Sequence, residues 1–523
     1  MEKIVSLCKR RGFIYQSSEI YGGINGFWDY GPLGAELKRN VKELWWHTMT
    51  RQRDDVVGLE ASIIMSPQIW KASGHVDTFS DPMIDCKTCK GRFRADQTNE
   101  IPCPQKPSKM VSDCHGEKTP PRAFNLMFQT YVGPVQDASA IAYLRPETAQ
   151  AIFAQFKNVL ETSRQKVPFG IAQVGKAFRN EVTPRNYTFR SREFEQMELE
   201  FFIKPDEAVE AISGRVARAA ELDTRHSAPD TSSWGWEAWH KYWVEQRMAF
   251  YEGIGLPRNT LVEYWQKPEE LAHYARATVD ILFKFPFGTQ ELEGIAARSD
   301  FDLSQHARCS GKPMGVFDEE LRAAWGKLDE ARKVELSKRY YDARLKYLVK
   351  TGVAQEPAGK EAKEDAEGLA KGQYIPHVIE PSAGVDRLIL ALICNAYYED
   401  QMPDEKGKLE SRVVLKFHPR VAPIKVAVLP LLKNKPDLVN KAQEVRNGLR
   451  PHMNVFYDDA GAIGRRYRRQ DEAGTPFCVT IDFDTLGEKP ELKDTVTIRY
   501  RDDGRQERLA IGELLNWLLP KIR

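Results

Sequence analysis

Residues 169–203 read FGIAQVGKAFRNEVTPRNYTFRSREFEQMELEFFI, two strand-like runs around a polar loop that contains Pro184, Arg185 and Asn186. The pattern predicts an antiparallel hairpin. Side chains alternate along a strand, so Gln173, Gly175, Ala177 and Arg179 share one face of the first run. In the second run Phe194, Gln196, Glu198 and Glu200 face one way, while Met197, Leu199, Phe201 and Ile203 turn to a core. Acidic, basic, aromatic and very small residues then stand together, with Gly175 and Ala177 leaving room beside Arg179 and Phe194 for a ligand. An arginine is a fixed planar donor suited to phosphate, and a ring can stack on a purine. A surface hairpin with incidental ion pairs is the alternative.

Two further segments favour the ligand. Residues 374–388, YIPHVIEPSAGVDRL, read as a strand that turns through Gly384 into an apolar helix. That places Arg387 in the first turn, where backbone N–H groups and the helix dipole add to its pull on an anion. Residues 144–150, LRPETAQ, bring a carboxylate, Glu147, just before another helix. Separately, Cys86, Cys89, Cys103 and Cys114 crowd into 29 of the 523 residues. Eight cysteines are too few for a disulfide framework in this length, and the cluster suits a four-thiolate zinc site, with His115 as an alternative ligand.

These residues need a scaffold. Leu33, Leu37, Val41, Leu44, Trp45 and Thr48 recur at helical spacing after Gly31-Pro32, and residues 59–65 read as a strand ended by Pro67. Residues 205–280 carry helical patterning with five tryptophans and read as a helical insertion. Residues 355–372 (QEPAGKEAKEDAEGLAKG) lack apolar periodicity and read as a charged linker. The turn-rich stretch 400–408 marks a domain boundary. Beyond it, strand-like 426–429 and 477–481 alternate with helical 436–449 and 511–519, a small α/β module. From residue 411 onward there are 21 Lys+Arg against 15 Asp+Glu, net +6, versus 55 against 59, net −4, before it. With a whole-chain charge of +2 the protein is no general polycation. The arginines 465, 466, 468 and 469 around Tyr467 are either a nucleic-acid contact or a brace. No apolar run of about 18 residues occurs and the first ten residues lack a signal-peptide core, which predicts a cytoplasmic protein.

FRNE (Phe178 to Glu181) at a hairpin strand end and GVDR (Gly384 to Arg387) at a helix start resemble the second and third signature motifs of class II aminoacyl-tRNA synthetases. Residues 31–67 resemble the first, which in that family forms much of the dimer interface. The strings RPETAQ, FGIAQVGKAFRNE, REFEQMELEFF, ELEGIAARSDFDL, PHVIEPSAGVDR and GRRYRRQDEAGTPFCVTIDFD resemble the homodimeric glycyl-tRNA synthetases in family order, from residue 21 nearly to the end. The resemblance implies an α+β architecture. A six- or seven-stranded antiparallel catalytic domain would span 1–410, with a zinc insert at 81–125, the insertion 205–280 and the linker 355–372. An α/β anticodon-binding domain would span 411–523. It implies activation of glycine with ATP to glycyl-adenylate and pyrophosphate, then transfer to the 3′ end of tRNA(Gly) by a homodimer that does not engage a membrane.

Residue roles follow from the same resemblance. Arg179 matches the arginine on the α-phosphate and substrate carboxylate, Arg387 the arginine at the γ-phosphate, Glu181 an acid at the adenine amino group, and Phe194 the ring stacked on adenine. Asn180, Phe189, Arg190, Ser191, Arg192 and Glu193 complete the ATP segment of the hairpin, joined by Glu291, Leu292, Gly384, Val385 and Asp386. Glu291 and Glu380 are expected to hold Mg2+. Glycine would be met by Arg94, Glu147, Phe194, Glu195, Gln196, Met197 and Glu198, and by Glu380, Pro381, Ser382, Ala383 and Gly384. The acids would grip its ammonium, and Ser382 would collide with any substituent on the α-carbon. Three departures from the family pattern stand out: a ten-residue insertion between Cys103 and Cys114, Ala151 for the usual Gly, and Ser191 for the usual Val. A non-catalytic binding relative is the rival class, and an enzyme for serine or alanine the rival substrate.

Overall fold

The computed structural model describes residues 1–222, 230–272, 274–403 and 409–523. Its central sheet has seven strands, β1 (Val56–Gly58), β2 (Phe169–Phe178), β3 (Glu193–Ile203), β4 (Leu261–Trp265), β5 (Ala277–Phe285), β6 (Gly288–Ser299) and β7 (His377–Gly384). They run in the order β4-β5-β6-β7-β3-β2-β1, and only the β1–β2 pair is parallel.

The hairpin register is Gln173 opposite Glu198, Gly175 opposite Gln196 and Ala177 opposite Phe194, as alternation requires. On the back of the sheet Met197, Leu199, Phe201 and Ile203 join a core with helices α1 (Pro32–Trp46), α3 (Trp236–Gly253) and α4 (Val385–Ala396). Helix α1 begins with proline at its first position and buries Leu37, Val41 and Trp45 at a four-residue spacing. The front face is divided. At one end Phe169 and Phe202 pack under Phe153 and Phe156 of α2 (Ala149–Ser163). At the other end, among the described residues, no helix covers the face, and there it carries Phe194, Gln196 and Glu198.

The C-terminal module is a five-stranded sheet of β8 (Val426–Pro430), β9 (Val455–Tyr457), β10 (Phe477–Ile481), β11 (Thr495–Tyr500) and β12 (Gln506–Ala510), ordered β9-β8-β10-β11-β12. Helices Pro436–Leu449 and Ile511–Ile522 cover it through Leu438, Val445, Leu514 and Leu518.

Several expectations are corrected. Residues 59–65 contribute only Ile64–Met65 as strand, and the sheet strand lies just upstream as β1. The 205–280 insertion is not purely helical: it supplies β4 and the start of β5, while residues 223–229 and 273 lie outside the described residues. The 355–372 linker is a helix, Gln355–Leu369, whose alanines 358, 362 and 366 form a small-residue stripe that packs closely on helix Glu330–Lys350. The division at residue 411 falls inside strand Leu409–Leu415, which pairs with Tyr397–Pro403, so the junction moves to residues 416–425. Residues 404–408 of the turn-rich stretch lie outside the described residues.

The arginine run sits on α5 (Ile463–Ala473), where Arg466, Arg468 and Arg469 brace the fold and Arg465 is exposed. Arg466 is buried and donates to the carbonyls of Pro430, Leu431, Asp458 and Gly461. Arg469 pairs with Asp458 at 2.6 Å, Arg468 lies 3.5 Å from Asp471, and Tyr467 donates to or accepts from Thr480 Oγ1 at 2.6 Å. The following residues of α5 tie the module to the rest of the chain, with Arg11 2.5 Å from Glu472 and Arg412 3.0 Å from Asp471. Among the described residues no helix is long and apolar enough to cross a membrane.

Candidate active site

The uncovered end of the front face is a cleft of about 420 Å³. Strands β3, β5, β6 and β7 line its floor and the first turn of α4 closes one side. Arg179 follows the last residue of β2. Its Nε–H donates to Pro146 O at 3.0 Å, and its guanidinium lies 5.3 Å from the Phe194 ring and 5.5 Å from Phe79. It has no carboxylate partner among the described residues, so its charge is held in place and left for a ligand. Arg387 lies 4.7 Å over the Phe189 ring, 3.2 Å from Glu291 Oε2, and donates to Glu291 O at 3.4 Å. Arg190 and Glu181 line the same end, 3.9 Å apart, each with a buried side-chain atom lacking a hydrogen-bond partner. Cations and an aromatic ring thus gather where a purine triphosphate would lie.

The other end is acidic. Glu147 is 3.3 Å from His75 Nε2 and accepts from Gln150 Nε2 at 3.1 Å. Burial opposes its ionisation, yet His75, Arg298 and Arg179 hold its carboxyl well below the usual range. Glu198 accepts from Ser382 Oγ at 2.8 Å and from Thr148 Oγ1; burial and the charge of Glu147 raise it. Burial pushes Glu380 up to about 8, with Glu198 and Glu147 adding to the rise and Arg298, 2.7 Å away, opposing it. Among the described residues, Glu198, Glu200 and Glu380 form the one group of metal-capable side chains whose ligand atoms all lie within 4.8 Å of one another. Arg298 also holds Asp302 with two bonds of 2.9 Å and lies 4.0 Å over the Tyr274 ring.

The structure sorts the expected residues by strand parity. Phe194, Gln196 and Glu198 of β3 and Glu380, Ser382 and Gly384 of β7 line the cleft, with Ser191 and Asp386. Glu193 pairs with Lys176, Glu195 pairs with Lys38 and Lys42, and Met197 is core, so those side chains lie behind the sheet. Leu292, Ala383 and Val385 are likewise core, and Pro381 does not line the cleft. Asn180 donates its backbone N–H to Leu126 O. Arg192 donates to Glu181 O and Asn25 O, which clamps the loop, and its side chain is not among those lining the cleft. Arg94 is bound to Asp81 at 2.9 Å and Asp96 at 2.7 Å and is not among the residues that line the cleft, although Glu181 and Arg190 of the lining feel its charge. Gly175 does not leave ligand space: a Cβ there would meet Arg145 Nη2 at 2.2 Å.

Glu291 and Glu380 both line the cleft but are held apart by different arginines, Glu380 by Arg298 at 2.7 Å and Glu291 by Arg387 at 3.2 Å. Glu291 reaches the cleft because β6 carries an extra residue, Leu292, where Ile281 faces Glu293 but Leu282 faces Glu291. Nearby, a Cβ on Gly294 would lie 4.0 Å from Glu291 Oε1 and 3.6 Å from Asp280 Oδ1. Arg298, His75 and Asp280 were not expected from the sequence. Arg298 was legible, since it continues the Gly294, Ala296 alternation.

The four clustered cysteines are reduced and adjacent. The insertion after Cys103 is a hairpin, Pro102–Cys103 with Lys106–Met110, which returns the chain so that Cys114 Sγ lies 3.8 Å from Cys103 Sγ. Backbone N–H groups of Cys89 and Thr88 lower the Cys86 thiol, and those of Gln105 and Lys106 lower Cys103.

A largely antiparallel sheet with a motif arginine at the end of its hairpin, and a second at a helix start beside it, defines the class II aminoacyl-tRNA synthetase core. The family model described as tRNA synthetase class II core domain (G, H, P, S and T) matches residues 134–225, and the model described as anticodon binding domain matches 425–521. The glycine--tRNA ligase of Treponema denticola is 45% identical over 523 residues, covering 100% of this chain and 97% of that protein. Those of Thermobifida fusca and Thermus thermophilus are 44% and 43% identical, again over 100% of this chain and 98% and 99% of theirs. The chain belongs to the glycine--tRNA ligase family.

Proposed function

We propose that the cleft is the site at which glycine is activated and then passed to tRNA. As a family member the chain is an ATP-dependent aminoacyl-tRNA ligase whose substrates are glycine, ATP and tRNA. The observation that carries the site assignment is the polarity of the strip. Arg387, Arg190 and Phe194 lie toward one end and Glu147, Glu198 and Glu380 toward the other, with Arg179 among them.

Glycine's ammonium binds the acids and its carboxylate points to Arg179. That carboxylate is ionised at neutral pH, so its oxygen attacks the α-phosphorus with no base, and pyrophosphate leaves with the electron pair of the broken P–O bond. Arg179 holds the charge growing on the α-phosphate, and Arg387 holds the leaving pyrophosphate. A terminal ribose hydroxyl of tRNA then attacks the glycyl carbonyl, and AMP leaves. Ser382, fixed by Glu198, stands against any substituent on the α-carbon.

Class II synthetases use Mg2+, and the carboxylate oxygens of Glu291 and Asp280 around Gly294 fit a hard cation. When bound, the ion would neutralise phosphate oxygens. Glu380 takes the ammonium role alone. Mixing the protein with ATP, Mg2+ and glycine without tRNA should yield protein-bound glycyl-adenylate; its absence would sink this reading.

We further read a cytoplasmic homodimer. The apolar face of α1 is consumed inside its own chain, so the association surface is sought in the preceding loop, where Ile20 is 88% and Tyr21 87% exposed. Sedimentation should give twice the chain mass, and Ile20→Asp with Tyr21→Asp should lower it; a monomeric wild type contradicts this. Zinc is read at the thiols of Cys86, Cys89, Cys103 and Cys114, supported by one pair: the 3.8 Å Cys103–Cys114 spacing is the edge of a tetrahedron with bonds of about 2.3 Å. Metal analysis should find one zinc per chain, lost in Cys103→Ser. A metal-free, fully active protein refutes it. The anticodon-binding module would orient tRNA(Gly) by its positive charge.

A further inference from the structure

We propose that Lys38, behind the sheet from the cleft, is a positioning residue for ATP, locking together the two chain segments that hold the nucleotide's ends. The proposal rests on the adenylation reading above. Lys38 Nζ lies 2.8 Å from Glu195 Oε2 and 2.8 Å from Asp386 Oδ1, and 4.3 Å over the Tyr30 ring. Tyr30 Oη–H donates to the same Asp386 oxygen at 2.6 Å, and the Glu195 backbone N–H donates to Asp386 Oδ2 at 2.7 Å. Lys42 Nζ occupies the second oxygen of Glu195 at 2.9 Å. The Asp386 carboxylate therefore receives donors from Tyr30 and Lys38, neighbours near the start of the chain, and from β3, far from both in sequence.

The neighbours of these anchors give the network its meaning. Glu195 follows Phe194, which faces the opposite side of the sheet, and Asp386 precedes Arg387. Holding Glu195 to Asp386 sets the span between the adenine-stacking ring and the arginine at the far phosphate. A displacement of about 1 Å in such a span can cost about 100-fold in rate. The glycine acids answer to different partners, His75, Thr148, Ser382 and Arg298, none of them on α1. The Lys38 and Glu195 side chains are each 13% exposed. Ion pairs this enclosed add little stability over an apolar filling, which favours placement over stability as the role of these groups.

The test uses full-length Lys38→Met, Lys38→Arg and Tyr30→Phe in steady-state glycine-dependent ATP–pyrophosphate exchange. Lys38→Met should raise the KM for ATP about tenfold or more while the KM for glycine stays within about twofold. Lys38→Arg should recover most of the loss, because the charge still spans both carboxylates. Tyr30→Phe, which leaves every charge in place, should shift the ATP KM in the same direction by less. ATP and glycine parameters that fall together, or ATP parameters unmoved in Lys38→Met and Tyr30→Phe, overturn the proposal. Wild-type protein without exchange would sink the adenylation reading and this proposal with it.

Discussion

Replacing Arg179 by alanine is expected to lower kcat/KM for glycine-dependent ATP–pyrophosphate exchange by about 10³-fold, about 4 kcal/mol of transition-state stabilisation. The guanidinium stands among the groups of the strip, kept there by Pro146 O and the Phe79 and Phe194 rings. Among the described residues no carboxylate forms an ion pair with it, so its donors are available when negative charge shifts on the α-phosphate. The loss should fall on kcat, since the interaction strengthens as the oxygen attacks. Arg387→Ala should cost less, about 10²-fold, because Glu291 already shares that charge. Neither guanidinium belongs to the apolar core, so the melting transition should stay near wild type. Retention of near-normal exchange by Arg179→Ala removes the α-phosphate assignment.

The second large effect is expected for Glu147→Gln, which should raise the KM for glycine about 100-fold, about 2.7 kcal/mol, while the KM for ATP changes little. Three buried acids would face the ammonium in the proposed reading, but their environments differ. His75, Arg298 and Arg179 keep Glu147 ionised, whereas burial and mutual repulsion raise Glu198 and Glu380. Glu147 is thus the anion present before glycine arrives, and its amide retains shape without charge. Glu198→Gln should cost less, since burial and the neighbouring Glu147 charge disfavour that carboxylate. An unchanged glycine KM in Glu147→Gln places the ammonium elsewhere.

Much of this site was legible in one dimension. Strand alternation assigned Phe194, Gln196 and Glu198 to one face, and the β2–β3 register bears it out. Motif strings carried over as unbroken runs overshot, because a strand shows alternate residues: Glu195 and Met197 fall behind the sheet although their neighbours line the cleft. What stayed hidden depends on contacts between distant segments. The extra residue at Leu292 turns Glu291 into the cleft, and nothing in ELEG marks it. Gly175 reads as ligand space until Arg145 is seen to fill it. The alanines of residues 355–372 carry too little hydropathy to signal an amphipathic helix, yet their small size is what lets two helices approach. Arg466 looks like a nucleic-acid contact in sequence and is a carbonyl brace in space.

The most direct test is ATP–pyrophosphate exchange without tRNA, run with glycine, alanine and serine in turn on the wild-type protein. The cleft described here predicts exchange with glycine. With alanine or serine it predicts exchange at least about 10²-fold weaker in kcat/KM, because the proposed reading sets Ser382 against a β-carbon. Comparable exchange with alanine or serine, or none with glycine, would contradict the account.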